Sequence, residues 1–290
     1  MNSEGNGGLG GTSAMNPTNF ANLSEGCVSY ILSFTSPREV GRASSISSEF
    51  KRFANSDSVW ERFLPSDYLD IISRSVSPVV YSSKKELYLR LCDSPILIDD
   101  GRMSFSLNKQ NGKKCFVLAA RTLWIVWGDT LVFWRWRSFP SSRFKKVAEL
   151  LAVCWLHIQG GMETRMLTLE TTYAAYLVYN ILETSHGLDF KGKTNVIYHS
   201  GGDDDVPTTL HTTVYLQPPK TGGSLHGSED GDVMGGSPQR RADGWMEIEL
   251  GRFYNGDIDG SVDIWFCETR ELGWKSGLIV EGFDIRPIDP

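Results

Sequence analysis

The spacing of the apolar residues changes along the chain, and this change most constrains the fold. From about Phe105 onward, apolar residues recur at every second position. The clearest runs are Leu123, Ile125 and Trp127; Val132, Trp134 and Trp136; Tyr173, Ala175, Leu177 and Tyr179; Met246, Ile248 and Leu250; and Val262, Ile264 and Phe266. Such alternation is typical of strands with one buried face. Because no helical segments come regularly between these runs, the pattern predicts an antiparallel β-sandwich or jelly roll over residues 105–290.

The N-terminal part of the chain has helical spacing instead. Ser36, Pro37 and Glu39 form a helix start, since the hydroxyl can cap, proline fits the first turn and the glutamate completes a capping box. Apolar residues continue at intervals of three and four on both sides of this start: Leu23, Val28, Ile31, Leu32, Val40, Phe53 and Trp60. These signals predict a block of three short helices over residues 20–65. The fold class is therefore α+β, with two domains.

Three further segments have their own composition. Ser83 and Glu86 repeat the capping box, so residues 66–104 are predicted to form a helical linker. Residues 1–19 are rich in Gly, Ser, Asn and Thr, and residues 218–243 contain few apolar side chains. Neither segment buries enough apolar surface to offset the entropy of ordering. We therefore expect a disordered head and a mobile loop inserted in the sandwich.

Charge and motif content exclude several classes of function. The chain carries 29 Lys and Arg against 35 Asp and Glu, a net charge of −6, which disfavours nucleic-acid binding. No apolar stretch is long enough to span a membrane, and no secretory signal opens the chain, so we expect a protein of the nucleus and cytoplasm. The five cysteines are scattered, and neither metal-binding nor nucleophile motifs occur. We therefore expect no metal, no cofactor and no enzyme activity.

The helical block has more apolar residues than its own interior can hold, so we expect a partner to cover the excess. Its phrases Leu23–Cys27, Ile31–Phe34, Ser36–Val40 and Val59–Pro65 resemble an F-box, although Ser24 stands where that family usually has proline. The resemblance implies binding to a Skp-type adaptor, which in turn binds a cullin. The residues it assigns to adaptor binding are Leu23, Ile31, Leu32, Pro37, Val40 and Trp60.

The strand-rich block carries a second resemblance. The phrase from Ala119 to Asp129, the run Phe133–Trp136 and the phrases Asp243–Gly251 and Trp274–Gly282 resemble a phloem protein 2 or Nictaba-type lectin domain. This resemblance implies a β-sandwich of jelly-roll type. It also implies that Trp127 and Trp134 contact carbohydrate containing N-acetylglucosamine, since an indole ring can stack on the apolar face of a sugar. Two other tryptophans, Trp155 and Trp245, lie among apolar residues and are predicted to be in the core.

An F-box followed by this lectin-like domain is the arrangement of the F-box members of the phloem protein 2 family of plants. The resemblance implies a non-catalytic substrate-recognition subunit of an SCF-type cullin-RING ubiquitin ligase, with a glycan or glycoprotein as its target. Two alternatives stay open. The chain can act as a stress or defence lectin without the ligase, or its sandwich can recognise a protein surface and no sugar.

Overall fold

The computed structural model describes residues 23–200, 212–217, 233–257, 259–270 and 272–288. The helices of this part of the chain all precede the long strands. They are α1 Glu25–Leu32, α2 Pro37–Ala43, α3 Ser48–Ala54, α4 Asp57–Glu61, α5 Tyr68–Ser73 and α6 Lys84–Asp93. Within the described ranges, no helix is both long and apolar enough to cross a membrane.

The predicted helix starts are confirmed. The Ser36 side chain accepts a hydrogen bond from the Glu39 backbone N–H, and Ser83 accepts one from Glu86, each at 3.2 Å. Between residues 20 and 65 the described residues form four helices, α1 to α4, one more than the three predicted. The additional helix is α4, which contains Trp60 and begins after the break at Asn55.

The strands of the described residues form two sheets, which pack face to face. The larger sheet contains β1 Ile96–Ile98, β2 Met103–Leu107, β3 Lys114–Ala119, β5 Trp134–Arg137, β6 Val147–Leu150, β8 Thr171–His186, β12 Gln239–Arg240, β13 Met246–Asn255 and β15 Ser276–Pro287. The smaller sheet contains β4 Trp124–Ile125, β7 Leu156–Glu163, β9 Gly192–Ser200, β10 Thr212–Val214, β11 Val233–Met234 and β14 Gly260–Glu268. Of these pairings, only that of β10 with β11 is parallel.

On β8 and β14 the predicted alternation is confirmed as the inward face, whereas Val132, from the predicted run with Trp134 and Trp136, is exposed. Tyr173, Ala175, Leu177 and Tyr179 on β8, and Val262, Ile264 and Phe266 on β14, are all fully buried between the sheets. Their neighbours in sequence face outward or pack beneath loops. The period-two pattern therefore identified the sandwich and its core.

The boundary between the predicted linker and the sandwich is wrong. The helical part ends at Asp93, and residues 96–104 already belong to β1 and β2. Helix α6 packs against both α4 and β2, so one apolar core runs from the helical block into the sandwich. The Lys114 ammonium also pairs with the Asp67 carboxylate at 3.0 Å across this junction. Buried contacts thus join the two parts.

Two predicted unstructured segments fall mainly outside the described residues. The head, residues 1–19, and residues 218–232 of the predicted loop cannot be compared with the structure. The rest of that loop, residues 233–243, contains two short strands, since Val233–Met234 pairs with β10 and Gln239–Arg240 pairs with β13. Backbone pairing therefore orders part of the segment that was predicted to be a mobile loop.

The outer face of the larger sheet is partly covered by the segment that follows β5. The Trp245 indole N–H donates to the Ser141 carbonyl at 3.0 Å, and the Phe139 ring packs on Trp245 at 5.1 Å. Beneath this segment lies Glu281, which is almost completely buried. One carboxylate oxygen accepts from the Ser142 hydroxyl at 2.9 Å, while the other has no hydrogen-bond partner.

Burial raises the pKa of the Glu281 carboxyl above its usual value. Because the folded-state pKa is higher than the unfolded one, the stability that this group contributes is present at low pH and is lost as the pH rises through the folded-state pKa. We expect Glu281→Gln to unfold at higher denaturant concentration than the parent at about pH 8, with the difference shrinking toward about pH 4. Urea unfolding at several pH values measures this difference. A difference that does not change with pH would contradict the prediction.

Candidate functional site

The turn after β4 holds Trp127 in an unusual backbone conformation. Its φ angle is +55°, in the left-handed region that residues other than glycine rarely adopt. The turn is closed by hydrogen bonds from the Gly128 N–H to the Ile125 carbonyl and from the Thr130 N–H to the Trp127 carbonyl, both at 2.8 Å. Such strain persists only where neighbouring contacts impose it, and it is common at functional sites.

Two indoles on β5 impose this conformation. The Trp134 indole N–H donates to the Val126 carbonyl at 3.1 Å, and the Trp136 indole N–H donates to the Gly128 carbonyl at 2.7 Å. These carbonyls lie on either side of Trp127. Trp134 and Trp136 reach both because residues two apart on a strand face the same way. The turn is therefore fixed from behind, and Trp127 is held toward solvent.

Three aromatic residues meet at this end of the sandwich, and we call Trp127, Phe133 and Trp155 the aromatic end. The Trp127 ring lies 5.2 Å from Phe133 and 6.3 Å from Trp155, nearly perpendicular to the latter. Trp127 is 39% exposed and Trp155 is 46% exposed. The aromatic end thus offers indole surface to a ligand.

The structure corrects two predictions about tryptophans. Trp134 was expected to contact carbohydrate, but it is completely buried, so it positions Trp127 and cannot itself stack on a sugar. Trp155 was expected in the core and is exposed. Trp245 is completely buried, which confirms its predicted core position. Sequence reasoning missed Trp155 because apolar neighbours do not reveal whether an element packs over the ring.

A buried ion pair supports the same end of the sandwich. The Lys275 ammonium lies 2.5 Å from the Glu268 carboxylate, and both side chains are almost completely buried. The ammonium also donates to the Cys154 and Gly273 carbonyls, at 3.0 and 2.9 Å. Since Cys154 directly precedes Trp155, the pair helps to set the position of that ring. No sequence motif indicated it.

The helical block separates the predicted adaptor-binding residues into two groups. Leu32, Pro37, Val40 and Trp60, which were predicted to contact an adaptor, are buried inside the block in the free chain. Trp60 also donates its indole N–H to the Ala54 carbonyl at 2.6 Å. These four residues hold the helices together. Leu23 and Ile31 are exposed, as adaptor contact requires.

Two exposed aromatic residues extend this surface, and we call Leu23, Tyr30, Ile31 and Phe34 the docking face. The Tyr30 and Phe34 rings are 4.8 Å apart in an edge-to-face arrangement. The Arg62 guanidinium lies 4.4 Å above the Phe34 ring. Sequence reasoning missed both aromatic residues, although their spacing of four places them on one side of α1 and its C-terminal turn.

The described residues give little support for metal binding or for reactive thiols. Within the described ranges, no group of three or more His, Cys, Asp or Glu side chains is arranged to hold a metal ion. The cysteines are not paired in disulfides. Burial raises the pKa of Cys92 and Cys267 to about 11 and that of Cys115 to about 12, so these thiols stay protonated near neutral pH.

Comparisons with known proteins match both parts of the chain. A sequence profile described as Phloem protein 2 matches residues 113–287. The F-box protein At2g02240 of Arabidopsis thaliana is 41% identical over 267 residues, which cover 91% of this chain and 79% of the relative. The F-box protein PP2-B10 of the same plant is 39% identical over 272 residues, covering 92% of this chain and 94% of the relative.

The similarity to solved structures is too weak to support a conclusion about fold or function. A xylan-binding domain from Paenibacillus barcinonensis matches at a TM-score of 0.25 with 10% identity, covering 55% of this chain and 87% of that one. A likeness of this size establishes neither a shared fold nor a shared ligand.

Proposed function

This chain belongs to the phloem protein 2 family, and we propose that it is the substrate-recognition subunit of an SCF-type cullin-RING ubiquitin ligase, acting in the nucleus and cytoplasm. In this role it catalyses no reaction itself. The helical block binds a Skp-type adaptor, and the sandwich binds the target. The F-box names of relatives that match nearly the whole chain support this assignment.

The observation that carries the proposal is the docking face. Tyr30, Ile31 and Phe34 are large apolar side chains exposed side by side at the end of the chain's smaller domain. Exposed apolar groups of this kind are typical of protein interfaces, where aromatic residues supply much of the binding energy. The buried residues Val40 and Trp60 keep the underlying helices in place, so the face is rigid before a partner arrives.

For the target, we propose a glycan or glycoprotein bound at the aromatic end. The exposed rings of Trp127 and Trp155 support this proposal, because flat indole faces complement the apolar C–H faces of sugars. The same rings also allow the alternative role of a lectin that acts without the ligase. A test of adaptor binding distinguishes the ligase subunit from the independent lectin. A test of glycan binding distinguishes both of these from a subunit that recognises protein alone.

Single substitutions on the docking face should weaken binding to the adaptor. We expect Ile31→Asp or Phe34→Asp to weaken binding to a purified plant Skp-type adaptor at least about 30-fold, since each places a charge in an apolar contact worth roughly 2 kcal/mol or more. Isothermal titration calorimetry with the full chain measures the affinity. Both variants should keep the parent's melting temperature, because both side chains are exposed.

Leu69→Asp is the matched control. Leu69 is as exposed as Phe34 but lies on α5, outside the docking face. The Leu69→Asp variant should bind the adaptor with the parent's affinity. Failure of the unmodified chain to bind any Skp-type adaptor would overturn the ligase proposal and favour the independent lectin.

If glycans bind at the aromatic end, Trp127→Ala should abolish binding of the protein to an array of glycans that contain N-acetylglucosamine. The fold should survive, since the ring makes one tilted contact with Phe133 and one edge contact with Trp155, worth about 1 kcal/mol each. Leu131→Ala removes an even more exposed apolar side chain from the same turn and should leave binding unchanged. Equal binding by the parent and Trp127→Ala would contradict the assignment of this site.

A further inference from the structure

A cavity lies at the edge of the sandwich that is remote from the aromatic end. In the smaller sheet, β4 is at one edge, and β10 with β11 is at the other. The cavity has a volume of about 640 Å³ and opens between this second edge and the strands β8, β12 and β13 of the larger sheet. A volume of this size is typical of sites for small molecules. The cavity is separate from both the proposed glycan site and the docking face.

The walls of this cavity are mainly apolar. Ile181 of β8, Val214 of β10, Met246 of β13 and Leu216 contribute aliphatic side chains to the lining. Tyr179, which is completely buried, donates a hydrogen bond from its hydroxyl to the Leu216 carbonyl at 2.8 Å. This bond fixes the segment after β10 to the larger sheet. Burial of a hydrocarbon chain against these walls is therefore favourable.

One charged side chain, that of Arg240, also lines the cavity. Strand register gives its direction, since Tyr179 pairs with Met246 and Met246 pairs with Arg240. Directly paired residues point to the same face of a sheet. Arg240 therefore points to the same side as the buried Tyr179, the side that faces the smaller sheet. Because Arg240 is exposed, its guanidinium lies at the rim of the cavity.

The Arg240 guanidinium has no ion pair with a carboxylate of the described residues. Its neighbour Arg241, in contrast, lies 2.8 Å from Glu247 and 2.7 Å from Asp284. Among the described residues that line the cavity there is no Asp or Glu. The donor groups of Arg240 are thus available to a ligand, and a guanidinium binds a carboxylate through two parallel hydrogen bonds.

We propose that this cavity binds a fatty acid, with its hydrocarbon chain against Ile181, Val214 and Met246 and its carboxylate on Arg240. A purely apolar ligand would make no use of the guanidinium, and an apolar cation would be repelled by it. An acid with an apolar chain complements both the walls and the charge. The site is independent of the proposed adaptor and glycan binding, so it adds a class of small-molecule ligand to the chain.

Isothermal titration calorimetry of the full chain with dodecanoate tests this proposal. We expect 1-dodecanol, which has the same chain length and no charge, to bind at least about tenfold more weakly, because it lacks the charge-assisted hydrogen bonds. Decanoate is shorter by two methylene groups and should also bind about tenfold more weakly than dodecanoate, because it buries less apolar surface.

Two variants test the role of the guanidinium. Arg240→Gln should lower the affinity for dodecanoate at least about tenfold and leave that for 1-dodecanol unchanged. Its melting temperature should equal that of the parent, because Arg240 is exposed. In Met246→Glu, the new carboxylate lies directly opposite Arg240 and competes with the ligand for the guanidinium. This variant should also lose dodecanoate binding.

Arg38→Gln is the matched control. Arg38 is also exposed, has no ion pair with a described carboxylate and lies on α2, far along the chain from the cavity. The variant should keep the parent's affinity for dodecanoate. Parental dodecanoate affinity in Arg240→Gln, equal affinity of the parent for dodecanoate and 1-dodecanol, or absence of dodecanoate binding would each overturn the inference. None of these results would affect the proposed adaptor or glycan binding.

Discussion

Trp134→Ala should lower the free energy of unfolding by about 3–5 kcal/mol, the usual cost of removing a large buried aromatic side chain. Trp134 is completely buried in the core that joins the two sheets. Its loss also leaves the Val126 carbonyl without the indole donor. Urea unfolding followed by circular dichroism measures the change. The effect should be far larger than that of Trp127→Ala, although the family resemblance gave both tryptophans the same role.

A conservative variant separates packing from positioning at this residue. Trp134→Phe keeps most of the apolar contact but removes the indole N–H, so it should cost about 1–3 kcal/mol. It should also weaken glycan binding, because one of the two indole hydrogen bonds that hold the turn behind Trp127 is lost. Unfolding of Trp134→Ala at the parent's urea midpoint would contradict the buried position of this ring.

Lys275→Met should lower the free energy of unfolding by about 3–5 kcal/mol, because it leaves the buried Glu268 carboxylate without its counter-charge. The Cys154 and Gly273 carbonyls lose a donor at the same time. Urea unfolding again measures the loss. Surface ion pairs in this chain, such as Arg121 with Asp129, should cost less than about 1 kcal/mol when broken.

The double variant Lys275→Met with Glu268→Leu is the control for this pair. It removes both charges and fills the space with apolar groups, so it should recover much of the stability lost in the single variant. A double variant that is less stable than Lys275→Met would contradict the assignment of the loss to an unpaired carboxylate, since both variants lack the hydrogen bonds from Lys275 to the backbone.

The sequence by itself determined the type of each part of the chain. Helical spacing with serine caps at Ser36 and Ser83 predicted helices, and alternation through Tyr173 and Val262 predicted buried strands. These signals are local, since a cap acts within one turn and a strand exposes every second residue to the same side. The order of the phrases also indicated the phloem protein 2 family, which the profile match confirms.

Only the tertiary structure decided which of these side chains are available to a partner. The sequence indicated that Trp134 contacts a ligand and that Trp155 lies in the core, yet Trp134 is buried and Trp155 is exposed. In the helical block, Trp60, which the F-box resemblance assigned to adaptor binding, is buried, while Phe34, which it did not assign, is exposed. Burial depends on which distant element packs over a residue. The pattern of neighbours along the chain does not contain that information, so the binding surfaces emerge only from the fold.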